Sequence, residues 1–227
     1  MYYAYDEKLN IYLQQDGYLD KEQILAADLN PAERPINQHW SWDRILRSVF
    51  IKQADTLQGI YLFEERFGND FIKRHFDFYE SRTVHESSLS PCVHSILAAK
   101  IGNIEKAYEL YLRTSRLDID DYNNEVSEGL HITSMAGTWM SIVEGFGGKR
   151  MKDGVLHLNP QIHKNWLEYS FKILLYDNDL LVTINKAEIC LFYQGEQPVK
   201  INVLGTEVEV IPNKIKKIKM QQFVVSN

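Results

Sequence analysis

Apolar residues recur at three- and four-residue intervals through much of the chain and then alternate with polar ones towards its end. Residues up to about Asn37 follow neither period. Pro31 and Pro35 punctuate them and the alternating run is Leu9–Leu13, which predicts irregular structure with short extended pieces. From Trp40 the pattern turns helical: Phe50, Ala54, Leu57, Ile60 and Tyr61 mark one face of a helix that Gly68 would end. A second helix is expected from Asn69 or Asp70 to about Glu80, with Phe71, Phe76 and Tyr79 inward. Ser90-Pro91 reads as a start signal, serine as cap and proline in the first turn, for a helix carrying Val93, Ile96, Leu97 and Ile101 before Gly102. The next runs from Ile104 to about Thr114 with Ala107, Tyr108, Tyr111 and Leu112 inward. The last opens near Thr133 or Ser134, carries Met135, Trp139, Ile142, Val143 and Phe146 on one face, and stops at Gly145–Gly148.

After Gly148 the period shortens. Val155–Leu158, Tyr169–Leu175, Leu180–Ile184, Ala187–Tyr193, Val199–Val203 and Glu207–Ile211 are short and often alternating. Asp153-Gly154, Asn159-Pro160, Asp177-Asn178, Gly195 and Leu204-Gly205 separate them as turns. The expectation is an α+β chain: a helical part over residues 1–150 and a small antiparallel β domain over residues 151–227. In Lys214–Lys219, Ile215 and Ile218 interrupt a run of lysines, which suits an exposed edge strand.

Composition narrows the function class. At 227 residues, 44% hydrophobic and 25% charged, the chain can bury a sizeable core and is ordinary for a globular protein. A net charge of −6 with no basic block outside 214–219 argues against a nucleic-acid partner. No uninterrupted apolar stretch is long enough to span a bilayer, and the start Met1–Glu7 lacks the basic and apolar regions of a signal peptide, so the chain reads as cytoplasmic. Cys92 and Cys190 have no close cysteine or histidine partner of zinc-site spacing and read as reduced, buried residues. No metal or cofactor is expected.

Candidate chemistry concentrates in polar stretches between the helices. Gly129–Trp139 runs a polar cluster straight into an amphipathic helix. Thr133 and Ser134 could cap its first amides, Gly137 could admit a ligand to the backbone, and the helix start would favour an anion beside His131. The plainer alternative is that these residues merely start a helix and let it pack closely. Trp40-Ser41-Trp42 could stack on sugar rings or fill a core, and Lys52-Gln53 could donate into a cleft or stay solvated. In His85-Glu86-Ser87-Ser88, adjacent side chains diverge, so a catalytic relay is not expected; Glu86 suits a ligand hydroxyl or a structural salt bridge equally. The acidic stretch Arg113–Glu128 lacks EF-hand spacing and reads as a solvated loop with internal Asx turns.

Together these stretches resemble the disaccharide phosphorylases of glycoside hydrolase family 65, the maltose, kojibiose and trehalose phosphorylase group. The resemblance rests on Trp40-Ser41-Trp42-Asp43-Arg44, Ile51-Lys52-Gln53-Ala54-Asp55, His85 to Cys92, Tyr111-Leu112-Arg113-Thr114 with Leu117-Asp118, Asp121-Tyr122-Asn123-Asn124, Gly129 to Trp139 and Glu144 to Gly148. It covers nearly the whole chain, in family order. It implies the last helices of an (α/α)6 toroid followed by the β domain. It also implies an inverting phosphorolysis of an α-linked glucose disaccharide, maltose first, to β-glucose 1-phosphate and glucose. By the same resemblance Lys52, Gln53 and, more weakly, Glu86 would bind substrate; His131, Thr133, Ser134 and Gly137 would hold phosphate. The family's general acid lies N-terminal to the matched region and has no counterpart here, so this chain alone would be inactive. Its partners would be the sugar, phosphate, the remaining part of an enzyme or a second copy. A non-catalytic carbohydrate- or phosphate-binding module or scaffold is one alternative. A glycoside hydrolase fragment is another, and it would need a carboxylate base that Gly129–Trp139 lacks.

Overall fold

A computed structural model describes residues 3–220, so Met1, Tyr2 and the final residues 221–227 of the expected β domain lie outside the described residues. The chain divides into two compact units, residues 1–141 and 142–227. This division falls earlier than the 150/151 boundary expected, because Val143 belongs to the hydrophobic core of the second unit.

The first unit opens with a two-residue-per-strand hairpin, β1 (Tyr5–Asp6) and β2 (Ile11–Tyr12), followed by three short 3-10 turns. Ile11, Tyr18 and Ile36 sink this irregular segment into the core. The helices are α1 (Ile36–His39), α2 (Trp42–Arg47), α3 (Asp55–Leu62), α4 (Asn69–Glu80), α5 (Ser90–Lys100), α6 (Ile104–Ser115), α7 (Leu117–Asp120) and α8 (Ile132–Met140). Every residue of α5 from Ser90 to Ala99 is buried, and α3, α4, α6 and α8 pack around it.

The helical pattern expected from Trp40, with Phe50 to Tyr61 on one face, is interrupted: α2 and α3 are separate, and Phe50 and Ala54 lie outside both. Ser48 ends α2: its hydroxyl donates to the Ile45 carbonyl at 2.7 Å, and its backbone turns extended. Ile51 then bridges Thr83 in parallel, its N–H donating to Arg82 O and its carbonyl accepting from Val84 N. Gly68 stands at the start of α4 rather than at the end of α3. The apolar run Ile45, Val49, Phe50, Ile51 suits a helical face and a buried extended segment equally, so periodicity could not separate them.

Two expectations about helix starts and faces also change. Helix α5 begins at Ser90 itself, with Leu89 in the capping position, so Ser90 does not cap it. In α8 the buried face is Ser134 and Gly137, whereas Met135 and Trp139 are each about half exposed (46% and 48%). The small residues turn inward because helices need close approach there. A β-carbon on Gly137 would meet the Cys92 β-carbon of α5 at 2.7 Å and the Thr114 methyl of α6 at 3.3 Å.

The second unit begins within a π-helical turn, Ser141–Phe146, and holds two four-stranded sheets. One has the order β10 (Ile215–Lys219), β7 (Glu188–Tyr193), β6 (Asn178–Asn185), β5 (Glu168–Leu175). The other has β3 (Arg150–Lys152), β4 (Val155–Leu158), β8 (Val199–Val203), β9 (Thr206–Val210). Alternation holds along the central strands: Leu180, Val182 and Ile184 of β6 and Ile189 and Leu191 of β7 are fully buried. The lysine-rich β10 is an edge strand, as its composition suggests. The unit is not purely antiparallel, since β4 and β8 pair in parallel. Cys190 points to the outer face of β7 and is half-buried rather than buried. Among the described residues no helix is long and apolar enough to cross a membrane.

Candidate functional site

The residues singled out from the sequence fall into two groups within the first unit. Lys52 and Gln53 follow the Ile51–Thr83 bridge and line a cleft of about 230 Å³ with Trp42, Phe50, Gln14 and Asp55. The Lys52 ammonium lies 5.5 Å from the Trp42 ring centroid. An indole face, an ammonium and an amide on one rim are the groups that recognise a sugar ring and its hydroxyls.

The second group lies at the start of α8 and on the 85–90 loop. His131 occupies the capping position without making a side-chain cap, so neither Thr133 nor Ser134 caps the helix. The first-turn amides are also less free than a bare helix start implies. Ile132 N donates to Leu130 O, and Ser134 N and Met135 N both reach the His131 carbonyl. What remains is a side-chain mouth. Thr133 Oγ1 and Ser88 Oγ are 2.8 Å apart, and Ser134 Oγ is buried without a hydrogen-bond partner. An orphaned buried hydroxyl is costly unless something supplies the missing bond. Gly137 stands one turn further on, with its bare face against α5 and α6.

Glu86 takes the structural option. It is 3% exposed; Oε1 accepts from Arg34 Nε at 2.7 Å and Oε2 from Ile36 N at 2.6 Å, while Arg34 Nη2 donates to Val84 O. Both carboxylate oxygens thus tie the Arg34–Ile36 segment, which includes a cis Arg34–Pro35 bond, to the 85–90 loop. Divergence of adjacent side chains is as expected. His85 turns to Glu80 and Ser90, Glu86 to Arg34, Ser87 to Leu89 N and Ser88 to Thr133.

Sequence reasoning missed three features here, all of them long-range. The first is Arg34 itself. The second is a buried network in which Glu80 accepts from His85 Nε2 (3.2 Å) and His94 Nδ1, with Lys106 Nζ at 3.3 Å. Ser90 Oγ within 3.4 Å of His85 Nδ1 completes the outline of a Ser–His–carboxylate relay. Ser90 is fully buried, however, so no substrate reaches it. Glu80, His85 and His94 also bring three potential ligand atoms within 4.8 Å of one another. Their spacing is that of hydrogen bonds and the Lys106 ammonium already neutralises the carboxylate, so the group is read as a structural network. Arg113 fixes the same point from the other side, donating twice to the His85 carbonyl.

Burial pushes His85 down to about 4, and hydrogen bonds from His85 and His94 outweigh burial to hold Glu80 far below the usual carboxylate range. Both shifts destabilise the fold in acid. Below about pH 6.5 the unfolded chain takes up a proton that native His85 refuses, and below about pH 4.5 the same holds for Glu80. Stability is therefore expected to fall from pH 6.5 towards pH 4 by up to about 1.4 kcal/mol per pH unit and to keep falling below that. Urea unfolding followed by helical circular dichroism at pH 7, 5.5 and 4.5 measures it, and a flat profile would refute the network.

The third missed feature surrounds His131. Asp118 Oδ1 lies 2.5 Å from its Nδ1, Asp118 Oδ2 accepts its backbone N–H at 3.0 Å, and Glu125 Oε2 is 3.8 Å from Nε2. The contact to His131 holds Asp118 below the ordinary carboxylate range. The acidic stretch does contain the expected Asx turn, with Asp121 Oδ1 accepting from Glu125 N and Val126 N, but Asp118 and Glu125 are half-buried rather than solvated. Carboxylates absent from residues 129–139 are therefore brought to them by the fold.

Comparison with known proteins accounts for the motif order. Residues 1–140 match the glycosyl hydrolase family 65 central catalytic domain and residues 150–210 its C-terminal domain. Over 203 residues the chain is 51% identical to maltose phosphorylase of Bacillus subtilis (strain 168), covering 89% of this chain and 27% of that one. Against alpha,alpha-trehalose phosphorylase of Thermoanaerobacter brockii the identity is 37%, covering 95% and 28%. A solved structure, a putative kojibiose phosphorylase from the human microbiome, superimposes with a TM-score of 0.89 at 40% identity, over 97% of this chain and 29% of that one. The chain thus spans just over a quarter of the length of the relatives it matches. It belongs to glycosyl hydrolase family 65.

Proposed function

We propose that this chain is the C-terminal portion of an inverting disaccharide phosphorylase acting on an α-linked glucose disaccharide, with maltose the first choice. The 51% identity to a maltose phosphorylase supports that choice over trehalose or kojibiose. In this reading the helices are the last part of an (α/α)6 toroid, in the cytoplasm, completed by the preceding part of the enzyme. Phosphate oxygen attacks the anomeric carbon as the bond to the leaving sugar oxygen breaks. A carboxylic acid supplied from outside this chain protonates that oxygen, giving β-glucose 1-phosphate and glucose. Lys52 and Gln53 hold the glucosyl unit; His131, Thr133 and Ser134 hold phosphate; Gly137 sets the helix that presents them.

The observation that carries this reading is the orphaned buried hydroxyl of Ser134, the residue next to Thr133, whose own hydroxyl pairs with Ser88. A phosphate oxygen supplies the bond it lacks. Calorimetric titration of the chain with inorganic phosphate tests it. Ser134→Ala is expected to weaken binding about tenfold or more, the worth of one hydrogen bond to a charged group. Equal affinity in the wild type and the variant would remove the phosphate from this mouth. Phosphate or glucose binding without turnover, even when the chain is reconstituted with the preceding part of a family member, would favour the non-catalytic module.

A further inference from the structure

Two carboxylates beside a phosphate mouth need a reason, since each repels the anion. We propose that Asp118 is a positioning residue for His131 and that Glu125 is a placeholder carboxylate, occupying the anion's side of the imidazole until phosphate displaces it. The inference rests on the phosphate reading above.

Asp118 uses both oxygens on one residue, Oδ1 on the ring Nδ1 and Oδ2 on the backbone N–H. Ring rotation and backbone position are thereby fixed together. With Nδ1–H committed to a carboxylate, Nε2 is the nitrogen left to meet a ligand. Nε2 faces Glu125 Oε2 at 3.8 Å, too long for a hydrogen bond. Its hydrogen-bonding capacity is therefore not taken up by Glu125.

Glu125 is held in place rather than swinging freely. Its backbone N–H donates to Asp121 Oδ1 at 2.9 Å, and its Oε2 receives the Asn123 amide at 3.5 Å. Asn123 is itself buried and bonded to Arg113. Around it the backbone bends through left-handed residues, Asp121 (φ 47°), Asn124 (φ 55°) and Gly129 (φ 113°). Such bends aim a side chain that a regular helix would point elsewhere. A protonated phosphate oxygen donating its hydrogen to Nε2 would lie within a few ångströms of the Glu125 carboxylate, and the anion and the carboxylate repel. Binding must then move the carboxylate off the ring.

The two residues should act with opposite signs, which a merely structural role does not produce. Glu125→Gln removes the charge and keeps the shape; it is expected to tighten inorganic phosphate about tenfold. Asp118→Asn removes the acceptor that orients the ring and is expected to weaken phosphate about tenfold. Independently of any variant, nitrogen-15 spectra of the wild-type chain should show the His131 proton on Nδ1. Calorimetry with phosphate on the wild type, the two variants and Ser134→Ala separates the cases. Phosphate bound by the wild type and weakened in Ser134→Ala, but unchanged in Glu125→Gln and Asp118→Asn, overturns this inference alone. No phosphate bound by the wild type or by Glu125→Gln overturns the phosphate reading and this inference with it. An Nε2–H tautomer at His131 overturns the positioning role even if Asp118→Asn fails to fold.

Discussion

Supplied with maltose and inorganic phosphate, the purified 227-residue chain is expected to form β-glucose 1-phosphate at least about 10²- to 10⁴-fold more slowly than a full-length maltose phosphorylase. That range is the usual worth of a general acid, and the resemblance assigns the acid to a part of the family outside the matched region. The leaving sugar oxygen is a poor one without a proton. The estimate is a lower bound, because positioning of both substrates by the rest of a toroid would be lost as well. Apolar side chains that a completed toroid would cover should also remain in water. Leu130, Ile132, Met135 and Trp139 on and beside α8 are exposed, so association of the isolated chain is expected alongside inactivity. Coupled detection of glucose 1-phosphate, with size-exclusion chromatography of the same sample, measures both. Turnover comparable with a full-length enzyme would show that the proton donor is present here after all.

Replacing Glu86 by alanine should cost about 2–4 kcal/mol of stability, measured by urea unfolding. The change strands two donors at once. Ile36 N–H, buried, loses its acceptor, and Arg34 loses the partner of its Nε. Arg34 is 35% exposed, so water takes back part of its charge and the figure sits below that of a wholly buried pair. The sign of a second measurement discriminates between roles. If Glu86 is a structural tie, Glu86→Ala lowers stability and Glu86→Gln, which keeps an acceptor, recovers part of it. If Glu86 instead meets a sugar hydroxyl, both variants would stay near wild-type stability and lose glucose binding.

How much of this was legible in the sequence depended on the range over which each signal acts. The spans of α4 and α6 and the central strands of the second unit follow from side-chain spacing within one element. The break at Ser48 did not show, because Ile45 to Ile51 satisfies two periods and the choice is made by a backbone bridge to Thr83. The face of α8 was misjudged for the opposite reason. Burial there is reserved for Ser134 and Gly137, which close packing on α5 and α6 requires, and the large side chains are turned out. Within the site, local polar residues such as Lys52, His131 and Thr133 could be picked out by type. Their supporting partners could not, since Arg34 meets Glu86 across 52 residues and Asp118 meets His131 across 13. No short-range pattern carries such pairings, and the motif order of the family reaches them only by implication.

The parallel pairing of β4 with β8 bears on how the second unit assembles. Each of its hairpins closes over a short loop, but His157↔Asn202 and Leu158↔Val203 join segments that flank the entire β5–β6–β7 meander. Loop-closure entropy delays such a contact until the intervening strands have condensed. The 150–158 ribbon is therefore expected to dock late, and on a nascent polypeptide it has no β8 to pair with until ribosomal synthesis has passed residue 203.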